Sequence, residues 1–332
     1  MVAQVTEVVP GIHQFKVPLP MEYLPYVLVY CIRGDDGYTL IDCGWNTEEA
    51  WNALTDQLRS VGADVRDVAH LIVTHIHPDH YGLAGRLKEA TGCEVVLHER
   101  EQKMVPGRYT DPSGLLDHMK VWLKRQGVPE ALANELHNAS MPTRQFVTEV
   151  EPDTKIRGGE RRRIGPYTFE ALWTPGHSPG HICLVEHEAG FMMTGDHVLP
   201  SITPNVSLHP QQEGNPLGEY IESLEKIKPL NIRRGLAAHE HVIEDLPKRL
   251  EELEEHHHRR LEEMLRAVAS GAETAHDVAA AIVWTTGTFD TFSPWQKRAA
   301  ISETLAHLEY ARSRGMVTAV ERGGVVRYLR VD

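Results

Sequence analysis

The chain has 332 residues, 34 Lys and Arg against 47 Asp and Glu, and a net charge of −13. With 41% hydrophobic and 24% charged residues it has the composition of a globular protein, long enough for one large domain and a small one. This excludes collagen-like, disordered and disulfide-scaffold classes, and no run approaches the ~18 apolar residues of a membrane span. The acidic balance argues against a surface that binds phosphate backbones at large. The opening MVAQVTEVVPGIHQF lacks the pattern of a secretory signal. Four scattered cysteines, Cys31, Cys43, Cys93 and Cys183, have no CxxC spacing, so buried thiols and a cytoplasmic setting are expected.

In chain order, 26–32 is a β-branched and aromatic run that stops at Gly34-Asp35-Asp36-Gly37, and 38–42 resumes it, which predicts a hairpin. Residues 47–61 carry Ala50, Trp51, Leu54, Leu58 and Val61 at helical spacing, with Gly62 closing the helix. A buried strand at 69–74, a helix at 82–90 and a strand at 93–97 complete a βαβ unit of an α/β layered domain. From 99 to 150 strand signals vanish. Leu115, Leu116, Met119, Trp122 and Leu123 share one helical face that ends at Gly127, and Pro129 opens a further helix at 130–139. We expect an inserted helical cap there. Its polar tips include Tyr109 and His118, candidate substrate contacts, with a dimer-forming insertion as the competing expectation.

Strands return at 167–173, 181–185 and 190–194, while Arg161-Arg162-Arg163 reads as a solvated turn or strand edge. Composition shifts near Pro247. Helices at 248–269, 275–283 and 294–314 then lead to a hairpin turning on Arg322-Gly323-Gly324, the element order of a winged helix. The expected domains are 1–247, containing the insertion 99–150, and 248–332. His256-His257-His258 falls inside a helix, where its members point in different directions and cannot share one metal.

The strongest chemical signal is Thr74-His75-Ile76-His77-Pro78-Asp79-His80, three His and one Asp within six residues after a buried strand. Along an extended backbone His75 and His77 project to one side, and Asp79 and His80 fall where the chain turns into a helix. Imidazole and carboxylate donors without thiolate suit Zn²⁺, with Mn²⁺ or Fe²⁺ as alternatives. His177 lies in Thr174-Pro175-Gly176-His177-Ser178-Pro179-Gly180-His181, Asp196 just beyond a strand in Thr194-Gly195-Asp196, and His239 or His241 at the end of another. All are strand ends and the loops after them, where α/β scaffolds place their sites.

THIHPDH, TPGHSPGH, TGD and a late histidine together resemble the metallo-β-lactamase superfamily, αββα sandwiches with binuclear metal centres. The resemblance runs from about Val8 to Leu246. It implies that His75, His77 and His177 bind one metal, that Asp79, His80 and His239 bind a second, and that Asp196 bridges them. Asp42 matches the family's strand-end aspartate, a support for ligands rather than a ligand. At the last motif the chain has Ala237-Ala238-His239-Glu240 where the family has Pro-Gly-His-Gly. The C-terminal segment is similar to the winged-helix extension of the β-lactamase-like protein 2 group, some of whose members cleave single-stranded RNA. The insertion 99–150 is not part of that short ribonuclease pattern.

The resemblance implies a hydroxide held between two Zn²⁺ ions, with Asp79 orienting it as the catalytic residue. No GxSxG or other covalent-nucleophile motif is present. The leading expectation is a hydrolase of small esters, thioesters or lactones. A metal-dependent ribonuclease or phosphodiesterase comes second, and a nucleic-acid-binding or regulatory winged-helix protein third. The partner is therefore a small-molecule substrate in preference to nucleic acid, with no membrane and with a homodimer allowed. Residues 251–332 carry ten Lys and Arg against thirteen Asp and Glu, whereas a DNA-reading winged helix is basic.

Overall fold

A computed structural model describes residues 5–21, 24–212 and 214–331. Seven strands form the first sheet in chain order: β1 (Thr6–Val9), β2 (Ile12–Pro18), β3 (Tyr26–Arg33), β4 (Tyr38–Ile41), β5 (Val68–Ile72), β6 (Glu94–His98) and β7 (Thr154–Ile156). It is antiparallel as far as β4 and parallel from there to β7. The second sheet holds β8 (Arg161–Ile164), β9 (Tyr167–Trp173), β10 (Ile182–Glu186), β11 (Phe191–Gly195) and β12 (Arg234–Ala237), in the order β12-β11-β10-β9-β8.

Period-two alternation decides what each face meets. On β3, Val27, Val29 and Cys31 face outward toward Ala50, Leu54 and Leu58 of α1 (Glu48–Ser60). Leu28, Tyr30 and Ile32 face inward, toward Phe169, Leu184, Phe191 and Met193 of the second sheet. Cys183, Val185 and Met192 leave that sheet on its other side, against Leu217, Tyr220 and Leu224 of α8 (Pro216–Ile227). The result is the expected αββα sandwich. Each fully buried Leu, Val or Ile stabilises it by roughly 1.5–3 kcal/mol before conformational entropy is charged against it. Two short helices, α2 (Pro78–Tyr81) and α3 (Ala84–Thr91), follow β5.

The insertion between β6 and β7 is helical, as its sequence predicts: α4 (Glu99–Val105), a π turn at 106–110, α5 (Ser113–Arg125), α6 (Glu130–Leu136) and α7 (Met141–Arg144). After β12 come α9 (Leu246–Ala269), α10 (Ala275–Ala281), α11 (Pro294–Ser313) and the hairpin β13 (Val317–Arg322) and β14 (Val325–Arg330). Ser293 and Gln296 form a reciprocal capping box at the start of α11. One apolar cluster joins Met119, Leu123 and Leu136 of the insertion to Leu250 and Leu253 of α9 and to Ile301, Leu305 and Leu308 of α11. The four cysteines are buried and free. Among the described residues no helix is long and apolar enough to cross a membrane.

Candidate metal centre

Five connections emerge at one end of the sandwich and carry the site. The strands are stitched together there: Leu28 N donates to Ala238 O (2.7 Å), Ala238 N to Gly195 O (3.1 Å), and the Tyr30 hydroxyl to Ala237 O (2.6 Å). Beyond β5, His75 Nε2 lies 2.9 Å from His77 Nδ1, and His177 Nε2 lies 3.2 Å and 3.0 Å from those two atoms. Asp196 Oδ2 is 3.6 Å from His177 Nε2. On its other side, Asp196 Oδ1 is 3.4 Å from His80 Nε2 and 3.3 Å from His239 Nε2. Asp79 Oδ2 sits 3.6 Å and 3.3 Å from the same two nitrogens. Two groups that could each hold a metal ion thus meet at Asp196: His75, His77, His177 and Asp196, beside Asp79, His80 and His239.

Hydrogen bonds on the far side of each ring settle which nitrogen offers a lone pair. His177 Nδ1 donates to Asn205 O (2.8 Å), and His239 Nδ1 faces Tyr26 O (3.3 Å). His80 Nδ1 donates to Asp42 Oδ2 (2.7 Å). The Thr74 hydroxyl donates to the same carboxylate oxygen (2.9 Å) and so accepts from His75 Nδ1 (3.1 Å). In four imidazoles Nδ1 is thus engaged and Nε2 is the atom turned to the site, as in ligands oriented through their second nitrogen. His80 Nε2, His239 Nε2 and Asp196 Oδ1 are buried and without a hydrogen bond. Buried polar atoms are seldom left so, and a divalent cation among them satisfies all three; the donor set fits Zn²⁺.

The charges agree. Burial alone would lower the pKa of His80, but Asp196, Asp79 and Asp42 outweigh it and hold the ring well above the usual histidine range. Burial likewise opposes a rise at His239, yet the carboxylates of Asp196 and Asp79 lift it to about 10. Burial and the neighbouring imidazoles of His80, His77 and His177 hold His75 well below its ordinary value. One half of the site thus draws positive charge to its carboxylates, and the other keeps its rings as neutral donors.

Asp42 occupies the supporting place expected of it. It adopts a left-handed backbone (φ 63°) at the end of β4 and accepts from Thr74 N (2.8 Å), the Thr74 hydroxyl and His80. A strained non-glycine residue at such a place is tolerated where its surroundings over-determine it. Gly195 has a φ of +50°, and a Cβ there would lie 2.5 Å from His181 Nε2. That nitrogen instead accepts from Asp196 N (3.1 Å), so glycine lets His181 hold the backbone of the central aspartate. His239, not the exposed His241, reaches the cluster.

The two insertion residues expected to meet substrate are placed differently from one another. His118 is exposed on α5 and outside the cluster. Tyr109 is buried, and its hydroxyl donates to Ile76 O (2.6 Å) within the His75–His77 loop. The insertion supplies a further residue that sequence reasoning missed. Glu101 of α4 is fully buried; it accepts from Ile76 N (2.9 Å), the Ser178 hydroxyl (2.6 Å) and Gly180 N (2.6 Å). It therefore ties the loop of His75 and His77 to the loop of His177. Two clefts of about 490 and 410 Å³ open elsewhere, at Glu263–Val283 and between α5 and the C-terminal hairpin, away from these groups.

The profile of the metallo-β-lactamase superfamily matches residues 24–239. The “Probable metallo-hydrolase YqjP” of Bacillus subtilis (strain 168) is 26% identical over 323 residues, 94% of this chain and 96% of that protein. A metallo-β-lactamase family protein from Thermus thermophilus superposes with a TM-score of 0.84 at 31% identity, covering 98% of this chain and 100% of that one. A β-lactamase domain protein from Burkholderia ambifaria gives 0.86 at 28% identity, covering 99% and 95%. Both solved structures extend over the insertion and the C-terminal helices as well as the sandwich. The chain belongs to the metallo-β-lactamase superfamily and is a metal-dependent hydrolase of that fold.

Proposed function

We propose that the chain is a dinuclear zinc hydrolase acting on an ester, thioester or lactone of moderate size. The observation that carries this reading is Asp196, whose Oδ2 faces the His75, His77 and His177 group while its Oδ1 faces Asp79, His80 and His239. His75, His77 and His177 would hold one ion, Asp79, His80 and His239 the other, and Asp196 both. When bound, such a pair supplies Lewis acidity and a water acidic enough to attack at neutral pH.

The rest is done by the chain's own groups. Asp42 and Thr74 fix the tautomers of His80 and His75. Asn205 O and Tyr26 O do the same for His177 and His239. Asp79 turns Oδ2 toward His80 and His239, and its other oxygen is the acceptor that orients the attacking water. Elemental analysis tests the reading: we expect close to two metals per chain in active protein. Asp196→Ala should lose both, together with hydrolysis across a panel of ester, thioester, lactone, phosphodiester and RNA substrates. One metal in fully active protein refutes the dinuclear assignment.

A further inference from the structure

Arg298 projects from α11, is 8% exposed, and has no hydrogen bond or ion pair among the described residues. Arginine stays charged in proteins, and a buried charge is normally paired. Nothing in the apolar cluster of α9 and α11 accounts for a cation here. The groups facing Arg298 make matters worse. Arg108, on the π turn of the insertion, is near enough for the two guanidinium charges to repel and likewise lacks a partner. Half-buried His209 is pushed down to about 3 by burial and by those same two charges.

One loop ties the cluster to the metal centre. Asn205 O accepts from His177 Nδ1 (2.8 Å), and three residues on, Leu208 N donates to Ser302 O (3.1 Å), one turn of α11 from Arg298. Gln211 closes against the π turn, where a Cβ on Gly107 would come within 2.8 Å of its Nε2. Arg108 in turn presses its charge on His77. Arg108 of the insertion, Arg298 of α11 and His209 are thus brought toward one another around this loop, which reaches His177 through Asn205, and neither guanidinium is paired among the described residues.

We propose that Arg298, Arg108 and His209 form the recognition site for an anionic group, a carboxylate or a phosphate, carried by the small substrate hydrolysed at the metal centre. The assignment of that group to a substrate rests on the hydrolase reading. Guanidinium forks match either anion bidentately, and His209 adds a neutral hydrogen bond. The cation has no partner among the described residues because its partner arrives with the substrate, stability given up at a site that function requires.

The test uses the full-length, metal-loaded protein. Thermal melting of wild type and Arg298→Met is followed with succinate, inorganic phosphate or neutral succinamide added. We expect Arg298→Met to melt higher, by about 2–6 °C, because it removes an uncompensated buried charge. One of the anions should raise the wild-type melting temperature, succinamide should not, and the shift should vanish in Arg298→Met. In parallel, kcat/KM is compared for thioesters matched in size, bearing a terminal carboxylate, a phosphate or a neutral amide. The favoured anion should lead by at least about tenfold, and Arg298→Gln or Arg108→Gln should abolish that lead through KM.

A lower melting temperature for Arg298→Met, no anion-specific shift and no charge preference among hydrolysed thioesters would overturn the proposal while leaving the hydrolase standing. An Arg298-dependent anion shift in a protein that hydrolyses none of the panel would support the anion site and remove the hydrolase reading instead. RNA cleavage that needs Arg298 would overturn the small-substrate assignment. Should Arg298→Met not fold, Arg108→Gln on the insertion carries the same comparisons.

Discussion

Glu101 decides how tightly the two histidine loops are held. Among the described residues its carboxylate is the sole hydrogen-bond acceptor for Ile76 N and Gly180 N, and it is fully buried. Hydrogen bonds to an ionised, buried acceptor are the strong ones, and leaving such donors unpaired costs roughly 1–3 kcal/mol. Glu101→Gln keeps the shape but puts an NH₂ where an oxygen accepts. We expect a loss of stability of that order and a fall in zinc affinity of roughly 10–100-fold, read by chelator competition. Unaltered zinc affinity beside a lowered melting temperature would show that Glu101 serves the fold alone. Asp196 and the six donors around it were legible because donors so dense at strand ends have few other uses, and the late histidine was narrowed to His239 and His241. Glu101 was not legible. With Glu99 it lies in the first turn of α4, where an acidic side chain is explained by the helix dipole, and only the tertiary fold turns it inward. The bond of the Tyr109 hydroxyl to Ile76 O was equally hidden, since a polar tip in a loop gives no sign that it will donate to a backbone carbonyl.

Where it meets α9, α11 carries two titrations of opposite sign. His307 on α11 is fully buried; its Nδ1 donates to Glu303 O (2.9 Å) and its Nε2 lies 3.3 Å from His257 Nδ1 of α9. Burial, with Arg260 and His256 adding repulsion, pushes His307 down to about 4, and burial raises the Glu303 carboxyl to about 7 against the pull of Arg260. The unfolded chain protonates His307 near its ordinary 6.5, so the stability from keeping it neutral is complete above 6.5 and lost as pH falls through 4. At about 1.4 kcal/mol per unit, roughly 3 kcal/mol is the ceiling for that loss. Glu303 works the other way: its contribution is complete below about 4.5 and lost as pH rises through 7. Glu303→Gln should therefore steepen the loss of stability on acidification from pH 7 to 4.5, and His307→Gln should flatten it, as read from urea midpoints at fixed pH. Parallel curves for the three proteins would refute the coupling. At this scale most elements were legible from periodicity, α1, α9 and α11 above all. The four-residue β1 and three-residue β7 are too short to show a period. Helix α8 carries its signals in the sequence, with Asn215 as cap, Pro216 in the first turn and Leu217, Tyr220, Leu224 and Ile227 at helical spacing.

For the whole molecule the open question is which anions it can hold. A nuclease must neutralise a run of phosphates, and for single strands each one adds about 0.7 to the slope of log affinity against log salt. This chain stands at −13, its insertion balances seven Lys and Arg with seven Asp and Glu, and residues 251–332 are acidic. Many of its surface arginines are already paired, Arg161 with Glu170, Arg157 with Glu99, Arg234 with Glu244 and Arg312 with Glu309. No stretch interleaves basic and aromatic residues as single-strand binding surfaces do. Arg108 and Arg298, near enough to repel and without an ion pair among the described residues, form a local exception, enough for one anionic group and too few for a backbone. Labelled single-stranded RNA titrated at low salt should therefore bind more weakly than about 100 µM, with a shallow salt slope. Binding in the micromolar range that collapses with salt, accompanied by cleavage lost in His77→Ala, would make the polyanion the substrate. The sparse positive charge around the centre would then have to be supplied by the metals and a handful of arginines acting together.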